Sequence, residues 1–374
     1  MTDNLLMIAA SEIDANLFYA SRFLAPDSFI YLKLHGRSYL LLSDLERDRA
    51  RLQSCVDEVI GLSDLREKAK TQGIERPTEI DVLYLFLSEQ GVFELRVPGN
   101  FPIESADALR AKGIVLSVRE EPFFAERAIK TEVEVRAIRK TQVAIEAAMD
   151  EAVRMLRASD IHHGELYYEE VPLTSEAVRR VLHRVLMEQN CTAQHTIVAG
   201  GMDACDPHQE GSGTLRAHEA IVFDIFPRSL ETRYFADMSR TVVRGKAPDP
   251  IKRLYETVLE GQVLGISRVC NGASASAIHE EIVALFESRG YTTGQVNGRM
   301  QGFFHGTGHG VGIDIHEPPR IGKGNGTLKT GEVVTIEPGL YYPGIGGVRI
   351  EDMVLVLEQG CQNLTTYPKF LEID

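Results

Sequence analysis

Four carboxylates stand out for where they sit in the chain: Asp224 and Asp237 in IVFDIFPRSLETRYFADMSRTVV, and Glu337 and Glu351 in EVVTIEPGLYYPGIGGVRIEDMVLV. Each lies in an apolar, β-branched run that reads as a strand, and side chains along a strand alternate between its two faces. A first turn centred between Leu230 and Glu231 sets Asp224 opposite Asp237. A second centred on Gly344 sets Glu337 opposite Glu351. Like charges directly opposite one another destabilise a sheet unless something compensates, and an unpaired buried charge costs several kcal/mol. Protonation or cations would relieve the crowding, and one shared divalent-metal site would relieve all four groups at once. The plainer alternative is four solvent-facing residues with ordinary salt-bridge partners, for which Arg240 and Arg349 are available. The repetition of the same pairing argues against it.

Between the two hairpins lies FFHGTGHGVGIDIHEPP, with His305, His309 and His316. His305 and His309 have the spacing of a helical zinc motif, but Gly306, Gly308 and Gly310 make a poor helix, and no glutamate follows His305. Glycines at this density let the backbone approach a ligand or fold tightly around a metal site; a mobile surface loop is the alternative. Four carboxylates and one imidazole form a hard, oxygen-rich donor set suited to manganese, cobalt, iron or zinc in a dinuclear site. Two metals a few ångströms apart would hold a hydroxide between them and polarise a substrate carbonyl.

The elements that must position these groups follow from periodicity. Apolar Val135, Ile138, Ile145, Met149, Ala152 and Leu156 predict a long amphipathic helix over about 130–158, and further helices are expected over 174–189, 250–269 and 274–289. His183 and His279 fall within these helices and are expected at the surface. Strands are expected over 196–199, 220–226, 234–243, 332–337 and 347–357. Helices and hairpins without a regular βαβ rhythm predict an α+β domain with a mostly antiparallel sheet. Upstream, residues 28–43 read as a hairpin turning at His35-Gly36, and apolar runs at 79–88 and 113–118 alternate with charged helix-forming stretches, the pattern of an α/β segment. The pattern breaks near Pro122, which places the domain boundary there.

At 374 residues the chain is long enough for two domains, and its net charge of -14 repels nucleic acid and anionic lipid surfaces. The N-terminal segment has no basic stretch before its short apolar patch, so neither a signal peptide nor a membrane span is expected there. Five cysteines without a CxxC pair are expected to be reduced thiols.

Five motifs in one order, VAGGMDACDPH, VFDIF, ADMSRT, HGTGHGVG with IDIHE, and TIEPGLY with GVRIED, resemble the pita-bread metallopeptidases. That family includes Xaa-Pro aminopeptidase, prolidase, methionine aminopeptidase and the metal-free creatinase. The resemblance implies an α+β fold, with a pita-bread catalytic domain over 123–374 and a smaller α/β creatinase-type N-terminal domain over 1–122. It implies hydrolysis of a peptide bond next to proline by a metal-bridging hydroxide, in an Xaa-Pro aminopeptidase or an Xaa-Pro dipeptidase. Two divalent ions per chain are implied, manganese first, with cobalt, zinc or iron as alternatives. By motif, Asp224 matches the bidentate ligand of one ion, His309 and Glu337 the ligands of the other, and Asp237 and Glu351 the bridging carboxylates. Glu337 also matches the residue that handles the proton of the attacking water, His316 the histidine that stabilises the oxyanion, and His208 the one near the scissile amide. His305 matches a histidine of the proline-specific members, and with His208 and Arg349 it is expected to contact substrate. The expected setting is a cytoplasmic homodimer acting on small peptides.

Two features depart from the family pattern: the Asp224 to Asp237 spacing is longer by two residues, within the turn, and Ser239 stands where threonine is usual. Two rival readings remain at this stage, a hydrolase of another small amide or amidine on the same scaffold and a non-catalytic peptide- or protein-binding relative. The intact ligand set argues against the second.

Overall fold

The computed structural model describes residues 3–324 and 326–374. The chain divides into two compact units, Met1–Arg127 and Ala128–Asp374. The division falls a little after the expected break because Phe123 and Phe124 are buried with Leu5, Met7, Phe29 and Tyr31 in the first unit. That unit is a six-stranded sheet in the order Glu58–Gly61, Arg37–Leu42, Phe29–Leu34, Leu5–Ala9, Glu94–Val97, Val115–Val118. Alternate residues of the central strands bury on opposite faces, Leu6, Ile30, Leu32 and Leu41 in one core and Leu5, Met7, Tyr31 and Leu40 in the other. The hairpin turns at His35-Gly36, where φ is 51° and 87°. The apolar run from residue 79 forms a helix, Glu79–Glu89, started by a capping box between Thr78 and Asp81.

In the second unit the long helix Glu132–Arg157 opens with a capping box between Thr131 and Glu134, and Ile138, Ile145, Met149, Ala152 and Leu156 form its buried face. Three strands, Ile197–Gly200, Ile221–Ile225 and Met238–Arg244, pair antiparallel, and Glu372–Ile373 adds a parallel edge. A five-stranded antiparallel sheet follows the order Glu317–Ile321, Gly308–Gly310, Val333–Ile336, Asp352–Val356, Cys361–Asn363. Helices Asp249–Arg268 and Ala275–Ser288 bury Leu254, Val258, Ile278 and Phe286 against Val334, Ile336 and Val354 of that sheet. The architecture is α+β, as expected. Among the described residues, no helix is long and apolar enough to cross a membrane.

Three local expectations are corrected. Asp224 lies opposite Ser239, not Asp237, because the ladder runs from Ile221↔Val242 to Ile225↔Met238 and Asp237 falls just before the strand. The connection is more than a turn: Arg228–Ser229 pairs with Cys191–Thr192, and Ser229 N–H bonds back to Tyr234 O. A register offset of two positions keeps the same face, since the strand period is two. The strand expected over 347–357 is broken into Gly346–Arg349 and Asp352–Val356, and its partner stops at Ile336. Pro338 has no N–H to continue the ladder, and beyond it Gly339–Tyr342 pairs with Gly346–Arg349 as a separate ribbon. Lastly, His279 is buried, not at the surface.

The glycines of the histidine segment serve close approach of backbone to backbone. A Cβ on Gly308 would lie 1.9 Å from Thr335 O, and one on Gly310 would lie 2.4 Å from Pro318 O. Gly306 has its nearest neighbour, Ile321 O, at 3.1 Å. We therefore expect Gly308→Ala to destabilise the second unit by about 3 kcal/mol and Gly306→Ala by less than about 1 kcal/mol, measured by denaturant unfolding. Equal effects would show that the segment is not packed by its backbone.

Candidate metal centre

Glu337 and Glu351 sit at the break between the two ladders. The pairs Ile336↔Asp352 before it and Gly339↔Arg349 after it share the register expected for a turn centred on Gly344, so the two glutamates face each other across the gap. Freed from the ladder, their backbone N–H groups bond elsewhere: Glu337 N–H donates to Thr307 O at 2.8 Å and Glu351 N–H to Ser239 O at 3.1 Å. These two bonds tie the second hairpin to the histidine segment and to the first hairpin. Three stretches distant in sequence are thereby drawn to one place.

Asp237, His309 and Glu351 are 4%, 4% and 1% exposed, and their donor atoms lie within 4.8 Å of one another. His309 Nε2 is 3.4 Å from Glu337 Oε1 and 3.7 Å from Asp237 Oδ2. These contacts are not ion pairs. Burial, first, and the neighbouring His316 push His309 down to about 3, and its Nδ1 lies 3.1 Å from Gly310 O. A neutral ring that donates from Nδ1 leaves a bare lone pair on Nε2, aimed at two carboxylates.

The carboxylates are poorly served by protein donors. Asp224 Oδ1, Asp237 Oδ1 and Glu351 Oε1 are buried without a hydrogen-bond partner. Burial, then the charges of Glu351, Asp224 and Glu337, raises Asp237 well above the usual carboxylate range. Burial and the charges of Glu337 and Asp224 do the same to Glu351, and burial pushes Glu337 up to about 7. Buried oxygens with free lone pairs and an imidazole nitrogen converging on one point are the donor set of a divalent cation. The residues present fit such a group.

A buried cation, Arg349, sits inside this cluster and is 3% exposed. Its Nη2 donates to Asp224 Oδ2 at 2.7 Å, its Nε to Ser239 Oγ at 3.0 Å and its Nη1 to the Tyr341 hydroxyl at 2.9 Å. Ser239 in turn donates to Glu351 Oε2 at 2.8 Å. The guanidinium therefore orients two of the carboxylates through protein contacts. Arg240, the other arginine considered as a partner, bonds instead to Asp352 Oδ1 and to the carbonyls of Glu351, Tyr367 and Pro368.

The remaining expected residues surround the same centre. His305 Nε2 lies 2.9 Å from the Tyr341 hydroxyl and its Nδ1 2.8 Å from Gly306 O; burial holds the ring neutral, down to about 3. The carbonyl requires the proton on Nδ1, so Tyr341 donates to Nε2 while accepting from Arg349. His316 packs its ring edge-on to His309 with centroids 4.4 Å apart, and burial lowers its pKa. His208 is exposed, on the loop after Cys205. One cavity of about 990 Å³ is lined by Asp224, Asp237, His309, Glu337 and Glu351 together with His208, His305, His316 and Arg349. Asp206, Arg320, Lys323 and Phe304 also line it. Tyr341 was missed in the sequence although it stands inside the TIEPGLY motif. Its signal would have been a tyrosine on the strand that leaves Glu337.

Because the charges are buried, neutralising one should help the metal-free chain. We expect Glu351→Gln to raise the melting temperature of chelator-treated protein by a few degrees and to abolish the further rise that manganese gives the unaltered chain. A lower melting temperature in chelator, with the manganese response intact, would show that no cation is held there.

Residues 136–358 match metallopeptidase family M24. The Xaa-Pro dipeptidase of Pyrococcus horikoshii is 31% identical over 358 residues, which cover 94% of this chain and 90% of that one. The Xaa-Pro dipeptidase of Pyrococcus furiosus is 35% identical over 244 residues, 64% and 63% of the two chains. Among solved structures, the prolidase from Pyrococcus horikoshii OT3 superposes with a TM-score of 0.80 at 25% identity, covering 99% of this chain and 95% of its own. The X-Pro aminopeptidase from Thermotoga maritima MSB8 gives 0.83 at 23% identity, covering 100% and 97%. The second unit thus has the pita-bread fold, and the chain belongs to metallopeptidase family M24.

Proposed function

We propose that this peptidase hydrolyses the bond next to proline in small peptides, with two divalent ions held by Asp224, Asp237, His309, Glu337 and Glu351. The observation that carries the reading is the convergence of these five donors, three of them with an orphaned buried oxygen, on the cavity that His305, His208 and His316 also line. The relatives named Xaa-Pro dipeptidase support the substrate class. In this reading Asp224 would hold one ion, His309 and Glu337 would hold the other, and Asp237 and Glu351 would be shared by both. When bound, such a pair supplies an activated water and polarises the scissile carbonyl.

The chain's own groups do the rest. Glu337, at the cavity wall, takes the proton of the attacking water. His316 donates toward the oxygen on which negative charge develops, and His208 approaches the scissile amide from the exposed side. His305 is held neutral with Nε2 accepting from Tyr341, so it presents an uncharged ring beside the bond and shapes the space for proline. Arg349 spends its donors on Asp224, Ser239 and Tyr341. We assign it as a positioning residue at the edge of the substrate site. The first unit is assigned as the creatinase-type N-terminal domain. Manganese as the native ion, a homodimer and a cytoplasmic setting complete the proposal.

A panel of Xaa-Pro dipeptides and tripeptides, with alanine replacing proline as control, tested with manganese, cobalt and zinc, checks the assignment. Metal-dependent release from proline peptides is expected, and the dipeptide to tripeptide ratio separates dipeptidase from aminopeptidase action. Asp237→Ala should abolish turnover, because a bridging ligand serves both ions; a near-normal rate would contradict bridging. His305→Ala should lose activity mainly on proline peptides, and an equal loss on the alanine controls would remove its specificity role.

A further inference from the structure

The loop 311–316 joins Gly308–Gly310 to Glu317–Ile321 and carries His316. The cross-strand pair Gly310↔Glu317 closes its base. Its interior is filled by the carboxylate of Glu317: Oε1 accepts from Ile313 N–H at 2.9 Å and from Asp314 N–H at 3.1 Å, and Oε2 accepts from Lys130 Nζ at 2.8 Å. Gly312 lies against the carboxylate, where a Cβ would come within 2.4 Å of Oε2, and Gly312 O accepts from Phe235 N–H at 2.8 Å. Glu317 and Lys130 are 4% and 7% exposed.

A buried ion pair is a weak device for stability, since desolvating two charges offsets most of their attraction, but it fixes geometry. Here the geometry fixed is that of a loop whose last residue, His316, stands perpendicular to His309, with 86° between the rings. We propose that Glu317, charge-balanced by Lys130, is a positioning residue that holds His316 at the cavity wall in the orientation its role requires. The inference rests on the role given to His316 above. Glutamine at 317 cannot reproduce the arrangement. Its amide would turn donors toward either the two loop N–H groups or the Lys130 ammonium.

The test is a double-mutant cycle on the manganese-loaded full chain with an Xaa-Pro peptide, using Glu317→Gln, His316→Ala and the combination. Glu317→Gln is expected to lower kcat about tenfold to hundredfold with KM changed less than about twofold and manganese content unchanged. It should cause no further loss when His316 is already alanine. In metal-free protein, where activity plays no part, the His316 imidazole resonances should move in Glu317→Gln. If that variant does not fold, Glu317→Gln with Lys130→Met, which removes both charges, carries the same measurements. Additive losses of kcat, or unmoved His316 resonances, would overturn the proposal. Moved resonances in a chain whose unaltered form cleaves no Xaa-Pro peptide would count against the functional reading and leave the positioning role standing.

Discussion

The second unit is organised around a concentration of negative charge that its own side chains do not neutralise. Asp224, Asp237, Glu337 and Glu351 converge with the bare nitrogen of His309, and Arg349 is the cation placed among them. Burial alone would drive Asp237, Glu337 and Glu351 to protonate, and the neighbouring negative charges drive Asp237 and Glu351 further. A fold that accepts this cost gains a place where divalent cations are bound by oxygens already stripped of water.

The same constraint explains how the chain is cut into elements. The ladders stop where ligands must turn inward: at Ile336, before Glu337 and Pro338, at Asp352, after Glu351, and at Met238, after Asp237. At those breaks the backbone N–H groups of Glu337 and Glu351 bond to other ligand-bearing segments, so the interruptions themselves stitch the site together. Around this centre the polar contacts form chains. Asp224 leads through Arg349 and Tyr341 to His305, and His316 leads through its loop to Glu317 and Lys130. The first chain joins Asp224 to His305 by hydrogen bonds, and the second ties the His316 loop to a buried ion pair, both within one unit.

Much of this was legible in the sequence, for reasons that differ by element. The register of the second hairpin was readable because a tight turn at Gly344, with φ of 93°, leaves little freedom in how the arms pair. The first was misread by two positions because its connection carries a short strand of its own, paired to Cys191–Thr192, and a turn count cannot see a partner so far away. The face survived the error since two is the strand period. His279 was misplaced at the surface because its burial depends on Thr307, whose hydroxyl lies 2.9 Å from its Nδ1, and helix periodicity carries no information about that neighbour. The glycines around His309 signalled close approach, and the Thr335 and Pro318 backbone is what Gly308 and Gly310 lie against. The roles of His208, His305 and His316 came from motif resemblance, as spacing alone does not assign them.

If cations hold these carboxylates together, anomalous diffraction from crystals grown with manganese will locate them. Two anomalous peaks are expected within the cluster, one contacted by Asp224, the other by His309 and Glu337, with Asp237 and Glu351 touching both. A map without peaks there, with the carboxylate oxygens turned toward solvent, would contradict the account.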